Sequence, residues 1–271
     1  MSAEFTHLHL HSQYSLLDGA IRFDDLLKVA SEDKMEAVAL TDHGNMFGAL
    51  DFYLKAKSMG IKPILGCEVY LAPGSRTMRA THTSGDEELP PYATARSGMH
   101  HLVLLCMNEV GYHNLCQIVS SSYLEGFYYK PRVDKELLAK YSEGLIATSA
   151  CLKGEVTAAT VMGDMDRARE LLKWYLHTYP DRFYLEIQQN GLPQQMVVNQ
   201  RFQELSKDLS IPLIATADCH YMKKSDAFAQ EVLMSIQTGR PLEDSSGSSV
   251  KCDEFYFKPQ EVIKREFAFC P

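Results

Sequence analysis

The sequence predicts an α/β fold in which strands and helices alternate around a parallel sheet that is either open or closed into a barrel. Short apolar runs alternate with helical stripes along most of the chain, and no break in composition divides it. At 271 residues, with 45% hydrophobic and 23% charged residues, the chain has the composition of a globular protein with one large domain or two small ones. Histidine, aspartate, glutamate and cysteine residues follow several of the apolar runs.

The first predicted strand, residues 5–12, contains three histidines. Because an extended chain alternates its faces, His7, His9 and His11 should line one side and the two leucines between them the other. Imidazoles at positions i and i+2 near the end of a strand can bind one metal ion. Buried imidazoles in an ordinary core strand would instead need hydrogen-bond partners. This stretch favours a metal site over a hydrogen-bonded polar strand end.

Up to residue 71, apolar runs and helical stripes alternate regularly. They predict, in order, a turn at Asp18-Gly19, a helix through about Glu32, a buried strand over 37–40 that ends at Thr41-Asp42-His43-Gly44, a helix from Phe47 to Met59-Gly60, and a strand over 63–70. The second helix is predicted because Phe47, Leu50 and Leu54 recur at helical spacing. Glu68 lies in the last strand, and a carboxylate in so apolar a run must be paired, metal-bound or protonated.

Residues 72–99 have no apolar period, and a loop of this length commonly has a function. Regular order then returns. The sequence predicts strands over 100–105, 144–148, 183–187 and 212–216, helices over 110–124, 134–141, 168–176, 194–209 and 227–238, an aromatic stretch over 127–132, and a surface loop over 239–253. The strand over 144–148 ends at Ser149-Ala150-Cys151, and the strand over 212–216 leads into Asp218-Cys219-His220.

The unusual polar residues gather at one kind of position. In a barrel, reactive groups lie at the C-terminal ends of the strands, and that is where these residues fall: His9, His11, Asp42, His43, Glu68, Cys151, Asp218 and His220. His101 is the exception because it begins its run, which requires an irregular barrel or a wrongly assigned strand. A rim of this composition is what a multinuclear metal site requires.

Charge and cysteine usage limit the class of protein. The net charge of −8 argues against a domain that clamps duplex DNA through a broad basic surface. It does not exclude a metal site acting on one phosphodiester, because bound cations supply local positive charge. Seven scattered cysteines without a C-x-x-C pair are typical of a reducing compartment. Without a signal-peptide pattern or an apolar run long enough to cross a bilayer, we expect a cytoplasmic protein that does not contact membranes.

Several motifs resemble the PHP (polymerase and histidinol phosphatase) superfamily: the H-x-H followed by Ser12, the Thr41-Asp42-His43-Gly44 block, the lone Glu68 and the Asp218-x-His220 pair. Longer segments resemble the N-terminal domain of bacterial DNA polymerase III α subunits. They are residues 7–19 (HLHLHSQYSLLDG), 61–70 (IKPILGCEVY), 108–115 (NEVGYHNL), 126–134 (GFYYKPRVD), 144–156 (GLIATSACLKGEV) and 211–220 (IPLIATADCH). The resemblance runs over nearly the whole chain and is weakest in the loop 72–99.

The resemblance implies a distorted TIM-like (βα)7 barrel with a cleft for three divalent metal ions at the C-terminal rim of the strands. Matching residue by residue, it implies nine ligands: His9, His11, Asp18, His43, Glu68, His101, Cys151, Asp218 and His220. Imidazole, carboxylate and thiolate together favour zinc, with manganese or iron as alternatives, and Cys151 argues against magnesium alone. The alternative for Cys151 is an ordinary buried cysteine. We assign His7 and His100 supporting or structural roles, and expect His82, His113 and His177 at the surface.

The resemblance also implies a place in a larger protein. Residues 1–271 are expected to be a single PHP domain excised from a larger replicative polymerase, with residues 239–271 as a run-out toward the polymerase region. The sequence has no polymerase carboxylate triad after this segment, so the chain is not expected to synthesise DNA by itself.

The leading hypothesis is metal-dependent 3′→5′ hydrolysis of DNA phosphodiesters, which is proofreading beside a polymerase, by a hydroxide that a metal ion generates at neutral pH. The unpaired 3′ end would enter the cleft as a single strand, with Lys130, Arg132 and neighbouring tyrosines on its backbone and bases. The same loop could instead simply pack on the next helix. One alternative is a metal-stabilised scaffold that docks a separate proofreading exonuclease subunit or the polymerase thumb. Another is a small-molecule phosphatase of the histidinol-phosphate type.

Overall fold

A computed structural model describes residues 5–78, 99–239, 241–242 and 252–270. Its strands are β1 (Ala37–Leu40), β2 (Lys62–Leu71), β3 (His100–Cys106), β4 (Arg132–Val133), β5 (Leu145–Thr148), β6 (Phe183–Gln188) and β7 (Leu213–Thr216). Its α-helices are α1 (Phe23–Glu32), α2 (Ala49–Ser58), α3 (Glu109–Leu124), α4 (Lys135–Lys140), α5 (Glu155–Val161), α6 (Met165–Thr178), α7 (Pro193–Leu209), α8 (Ala227–Thr238) and α9 (Gln260–Glu266), and a 3-10 turn covers Lys224–Asp226. None of the helices in these ranges is long and apolar enough to span a bilayer.

The strands form one curled sheet in the order β1-β2-β3-β5-β6-β7, with β4 paired to β2. Neighbours are parallel except around β3, which runs antiparallel to both β2 and β5. The predicted all-parallel sheet is therefore wrong at this strand. Because β3 is reversed, its first residues lie at the rim where the neighbouring strands end.

The N-terminal segment, residues 5–12, joins the two edge strands of the sheet. One side of it accepts amide hydrogen bonds from β1 and Thr41, and the other side exchanges two bonds with Cys219 just after β7. These bonds, 2.7 to 3.1 Å long, run from Ala39 N to His7 O, Thr41 N to Leu10 O, His11 N to Cys219 O and Cys219 N to His9 O. The sheet thereby closes into a distorted TIM-like barrel, as expected.

A bulge interrupts the N-terminal segment. Between the carbonyls of His7 and Leu10 the segment advances three residues, while β1 and its end advance two between the amides of Ala39 and Thr41. The strict alternation of faces is lost there. The ring of His7 therefore lies against Phe257, at 4.3 Å between centroids, and the prediction that all three histidines share one face is wrong for His7.

Most of the core lies between the sheet and its helices, and a smaller group inside the barrel contains Ala39, Val103, Leu105 and Ala150. The predicted helices are all present, whereas α5 and β4 were not predicted. On α2 the apolar stripe faces outward: Phe47, Leu50 and Leu54 are 61%, 70% and 58% exposed. The buried side of this helix carries the smaller alanines and Phe52 instead.

The C-terminal segment, residues 252–270, is fixed to the outside of the barrel. Tyr256 pairs with Tyr221, and the Phe257 amide donates to the Tyr221 carbonyl at 2.8 Å. The ammonium of Lys258 is buried, where it donates to the Gln189 carbonyl at 2.8 Å and contacts Glu266 at 2.8 Å. The predicted loop 239–253 lies largely outside the described residues, as does most of the loop 72–99.

Candidate metal centre

All nine predicted ligands lie at one rim of the barrel. The N-terminal segment and its turn supply His9, His11 and Asp18, the end of β2 supplies Glu68, the start of β3 supplies His101, and the loops after β1, β5 and β7 supply His43, Cys151, Asp218 and His220. The reversal of β3 brings His101 to this rim, so its strand was predicted correctly and the barrel is irregular there.

Glu68 is at the middle of the group and is almost fully buried. Its Oε2 lies 2.6 Å from His43 Nδ1 and 2.9 Å from His101 Nδ1, and its Oε1 lies 3.3 Å from His9 Nε2. The Cys151 sulfur lies 3.9 Å from Glu68 Oε1 and 3.8 Å from His101 Nδ1. His11 Nε2 also lies 3.7 Å from Glu68 Oε2, so one carboxylate contacts five of the other predicted ligands.

The two aspartates approach the remaining imidazoles. Asp218 Oδ1 lies 3.2 Å from Nε2 of both His9 and His11. Asp18 Oδ2 lies 3.0 Å from His43 Nε2, and its Oδ1 lies 3.6 Å from His220 Nε2. Every predicted ligand therefore contacts at least one other.

Several of these close approaches lack hydrogen-bond geometry. Five buried atoms of the centre have no hydrogen-bond partner within the described residues, and these are His9 Nε2, His11 Nε2, His43 Nδ1, Glu68 Oε2 and Asp218 Oδ1. Buried polar atoms are normally paired, and five orphans in one spot need an explanation. Cations held between these atoms would satisfy them.

Two of the separations around His9 fit metal coordination. Zinc binds nitrogen and oxygen at roughly 2.0–2.2 Å, which in a tetrahedron separates two ligand atoms by about 3.3–3.6 Å. The observed separations of 3.2 Å between His9 Nε2 and Asp218 Oδ1 and of 3.3 Å between His9 Nε2 and Glu68 Oε1 are close to that range. Three groups could each hold an ion: His11, His43 and His220; His9, His11 and Asp218; and His43, Glu68 and His101.

The acidic groups of the centre are ionised. Burial alone would raise the pKa of Glu68, but His101, His43 and His9 bring it well below its usual value. The pKa values of Asp18 and Asp218 are likewise lowered against the effect of burial, by His220 and His43 for Asp18 and by His9 and His220 for Asp218. Three carboxylates carry negative charge in a nearly closed space, which attracts cations.

The imidazoles divide into two classes. Burial lowers the pKa of His101 to about 4 and that of His11 well below its usual value, so both are neutral and able to coordinate. Although burial opposes it, Glu68 raises the pKa of His43 to about 9, and Asp218, Glu186 and Glu68 raise that of His9. Burial and nearby carboxylates raise the pKa of Cys151. Metal binding must therefore displace protons from His9, His43 and Cys151.

Sequence reasoning missed Glu186, which orients His9. Its buried carboxylate accepts hydrogen bonds from His9 Nδ1 at 2.7 Å, from Thr148 and Thr216 hydroxyls at 2.5 Å each, and from the Gln188 amide at 2.9 Å. This bond directs His9 Nε2 toward Glu68 and Asp218, as carboxylates commonly do for metal-binding histidines. The signal was available, because Glu186 interrupts an apolar strand just as Glu68 does.

Asp42, which follows β1, braces the turn that carries Asp18. Its Oδ1 accepts from the Ser12 amide and the Ser15 hydroxyl, both at 2.7 Å, and its Oδ2 accepts from the Ser12 hydroxyl at 2.8 Å. Ser15 Oγ in turn lies 3.1 Å from His11 Nδ1. The carboxylate thus fixes His11 through a serine and does not enter the cluster itself.

The backbone around the centre is held in unfavourable conformations. Leu17, Ala150 and Asp218 have φ values of 61°, 57° and 49°, and each is a predicted ligand or directly precedes one. Non-glycine residues in this region cost on the order of 1–3 kcal/mol and persist where the surroundings enforce them. Gly19 is required for a different reason, since a Cβ there would lie 2.1 Å from the Ser12 carbonyl oxygen.

The two predicted substrate contacts have different surroundings. Arg132 is buried, and its guanidinium donates to the carbonyls of Gly126 at 3.0 Å and Arg76 at 2.7 Å. This placement disagrees with the predicted contact to substrate, because the guanidinium braces the loop over residues 126–132. Lys130, on the same loop, lies 5.4 Å from the Tyr70 ring at the edge of the cluster.

The remaining histidines lie away from the cluster. His7 is buried, with Nε2 2.9 Å from the Lys258 carbonyl, and His100 lies 3.3 Å from the Lys153 carbonyl. His113 and His177 are exposed, and His82 lies outside the described residues. These placements agree with the roles predicted for the four that are described.

Comparison with known proteins identifies the family. The PHP domain family model matches residues 7–190. DNA polymerase III subunit alpha of Aquifex aeolicus is 44% identical over 98% of this chain and 23% of its own length, and that of Borreliella burgdorferi is 43% identical over 99% and 22%. The chain thus spans less than a quarter of the length of these relatives.

Two solved structures are similar at low sequence identity. A candidate metal-dependent phosphoesterase from Bifidobacterium adolescentis has a TM-score of 0.46 at 14% identity, covering 80% of this chain and 88% of that one. An amidohydrolase from Chromobacterium violaceum with bound sulfate has a TM-score of 0.48 at 13% identity, covering 79% and 87%. Likenesses this weak say nothing of function, and the identification rests on the sequence matches. This chain belongs to the PHP domain family.

Proposed function

We propose that the barrel is a metal-dependent phosphoesterase domain of a cytoplasmic bacterial replicative polymerase, and that it removes nucleotides from the 3′ end of single-stranded DNA. The observation that supports this most is the set of five buried orphan atoms among nine competent ligands at one rim. The relatives named DNA polymerase III subunit alpha suggest the rest of the polymerase chain and DNA as partners.

We propose three divalent ions, zinc first, held by the three groups of ligands, with Asp18 and Cys151 completing the set. When bound, such ions polarise phosphoryl oxygens and lower the pKa of water. The protein's own contribution is to hold three ionised carboxylates and neutral imidazoles in fixed positions. Glu68 contacts members of all three groups, so it would help to fix their relative positions.

Charge favours a single strand over a duplex. A net charge of −8 leaves little basic surface for a duplex backbone. Lys130 provides a cation at the edge of the cluster, where burial lowers its pKa against the attraction of Asp18. We propose that its ammonium contacts a phosphate beside the cleaved bond.

The test measures metal content and nuclease activity on the wild type and on His9→Ala and Asp218→Ala. The substrates are a labelled single-stranded oligonucleotide and a mispaired primer, with labels at each end to report polarity. We expect about three metals per chain and 3′ shortening, with both reduced in the variants. Shortening from the 5′ end, or none with a full metal complement, would contradict the proposal.

A scaffold is the second candidate, and the same orphan atoms favour it. Metals that satisfy buried polar atoms stabilise the fold whether or not the site turns over. In that case the variants would melt at lower temperature with no activity to lose, and the barrel would serve to dock a proofreading subunit or the polymerase thumb. Hydrolysis of small phosphomonoesters without any action on DNA would instead support a small-molecule phosphatase.

A further inference from the structure

Tyr70 connects the metal centre to a second group of aromatic residues. Its ring centroid lies 5.2 Å from that of His101 and 6.0 Å from that of His43. The ammonium of Lys130 lies over the same ring. The loop that carries Lys130 also carries Phe127, three residues earlier, and Phe127 belongs to the second group because its ring lies against that of Tyr123.

Tyr123, near the end of α3, contacts one ring in the turn before α2 and one in the loop after α3. The Tyr123 ring lies 6.2 Å from that of Phe47 and 6.0 Å from that of Phe127. These rings are 37%, 61% and 53% exposed, respectively. Single exposed apolar residues are ordinary, but a contiguous group usually marks a binding surface.

The loop that carries Phe127 is rigidly held. The buried Arg132 guanidinium donates to the Gly126 carbonyl, and the Tyr128 amide donates to the Lys130 carbonyl at 3.1 Å. At its tip Tyr129 has φ 59° and is 77% exposed, so neither local backbone preference nor packing accounts for an aromatic residue there. The loop thus presents aromatic rings and Lys130 in a fixed arrangement beside the cleft.

We propose that Phe47, Tyr123 and Phe127 form a stacking platform for the bases of a single-stranded nucleic acid whose terminal phosphodiester enters the metal centre. This inference rests on the proposed function and names how that site holds its substrate. Stacking suits this protein because every base has a π-face, so a platform binds any sequence. Stacking also suits a chain with a net charge of −8, because it binds bases and so needs few basic residues to contact phosphates.

The aromatic character of the platform favours a nucleic acid over a protein as the partner. Leu50 and Leu54 extend the exposed apolar surface along α2, and a protein partner would use them as much as the rings. Phe127, by contrast, lies on the loop whose Lys130 contacts Tyr70 at the edge of the cluster. Variants that remove an aromatic ring but keep apolar surface, compared with variants that remove apolar surface but keep the rings, therefore decide between the two partners.

The test measures the affinity of fluorescein-labelled oligodeoxythymidylate by anisotropy at several salt concentrations. The variants are Phe47→Leu, Tyr123→Leu and Phe127→Leu, which keep apolar volume and remove the π-face. Each is expected to weaken binding at least about fivefold, the low end for one stacked base. The salt slope should correspond to one or two phosphates, about −0.7 per phosphate on a single strand.

Two matched controls accompany these variants. Phe269→Leu replaces an exposed aromatic residue of the C-terminal segment, and Leu50→Ser removes apolar area from α2 without removing a ring; both should bind like the wild type. Melting temperatures confirm that each variant is folded. The platform would be overturned by any of three results. The ring variants could bind as tightly as the wild type, Leu50→Ser could lose as much affinity as they do, or the wild type could fail to bind the oligonucleotide.

The design separates this inference from the proposed function. Hydrolysis is measured on the same wild-type preparation, whereas anisotropy reports binding whether or not the strand is cut. Ring-dependent binding without hydrolysis would refute the proposed nuclease and leave the platform standing. Hydrolysis with ring-independent binding would refute the platform alone.

Discussion

Replacing Glu186 by glutamine separates the charge of this carboxylate from its geometry. With its oxygen at the Oε1 position, the glutamine still accepts from His9 Nδ1 and from Thr216 and Gln188. Its amide group then faces the Thr148 hydroxyl, which can rotate to accept. The variant therefore keeps the orientation of His9 and loses only the negative charge behind it.

The expected effect is on metal affinity. Loss of an outer carboxylate behind a metal-binding histidine typically weakens binding about 10- to 100-fold, or about 1.4–2.7 kcal/mol. The free energy of unfolding of the metal-free protein should change by less, about 1 kcal/mol, because the hydrogen bonds remain. Glu186→Ala would instead leave His9 Nδ1 and two buried threonine hydroxyls without their acceptor, at a cost of about 3–5 kcal/mol.

The assay is competition for zinc with a chromophoric chelator, together with urea unfolding in a chelating buffer. It is run at alkaline pH, because the proton on His9 competes with the metal. Glu170→Gln replaces an exposed carboxylate that pairs with Arg167 at the surface; it serves as the control and should match the wild type. If Glu186→Gln binds zinc as tightly as the wild type while Glu186→Ala is merely less stable, Glu186 is a structural group and the reasoning fails.

Three further predictions concern the turn, the loop and the far end of the barrel. Gly19→Ala should destabilise the fold by about 1–3 kcal/mol in urea unfolding, because its Cβ would overlap the Ser12 carbonyl. Arg132→Met should lower the free energy of unfolding by about 2–3 kcal/mol, because two buried carbonyls lose their donor. Burial and the nearby Cys116 raise the pKa of Cys106 to about 12 from 9.0, so stability should fall as pH rises from 9, where the unfolded thiol ionises first.

Each of these predictions has its own control. Gly74→Ala should be neutral, because a Cβ there meets nothing within 4 Å, and equal effects at both glycines would contradict the overlap. For the loop, Lys130→Met should leave stability unchanged, and an Arg132→Met protein as stable as the wild type would disprove the brace. Cys106→Val should flatten the alkaline decline, which is at most about 1.4 kcal/mol per pH unit and smaller for a partly exposed thiol. A decline that persists unchanged in that variant would assign it to other groups.

Periodicity predicted most of the fold. The helical stripes and short apolar runs are local properties, and the helices and strands they predicted from residue 23 onward are present, whereas the predicted strand over 5–12 is an irregular segment with isolated bridges. The direction of β3 was not predictable in this way, because a buried strand has the same apolar sequence pattern whether its neighbours are parallel or antiparallel. The outward stripe on α2 has a similar cause: spacing shows that Phe47, Leu50 and Leu54 share a face, but not which face meets the sheet.

The residues of the candidate site likewise divide into those that local patterns predict and those that depend on tertiary contacts. Most of the predicted ligands converge because the ends of parallel strands meet at one rim, a rule that needs no tertiary detail. Asp18, which lies in a turn, and His101, which begins its strand, were assigned through the family resemblance and not through this rule. Arg132 was misjudged because a cation in an aromatic stretch looks like a nucleic-acid contact until its carbonyl acceptors are known. The bulge that turns His7 away from His9 depends on hydrogen bonds to Ala39 and Thr41, which no period in the sequence encodes.

The closure of the barrel by the N-terminal segment has a consequence for the nascent chain. The backbone partners of His9 and His11 lie at Cys219, about 210 residues later, which at about 5–20 residues per second takes roughly 10–40 s of translation. Glu186, which orients His9, follows it by 177 residues and is therefore also made late in that time. The order of synthesis thus makes the complete rim one of the last parts of this domain that can form.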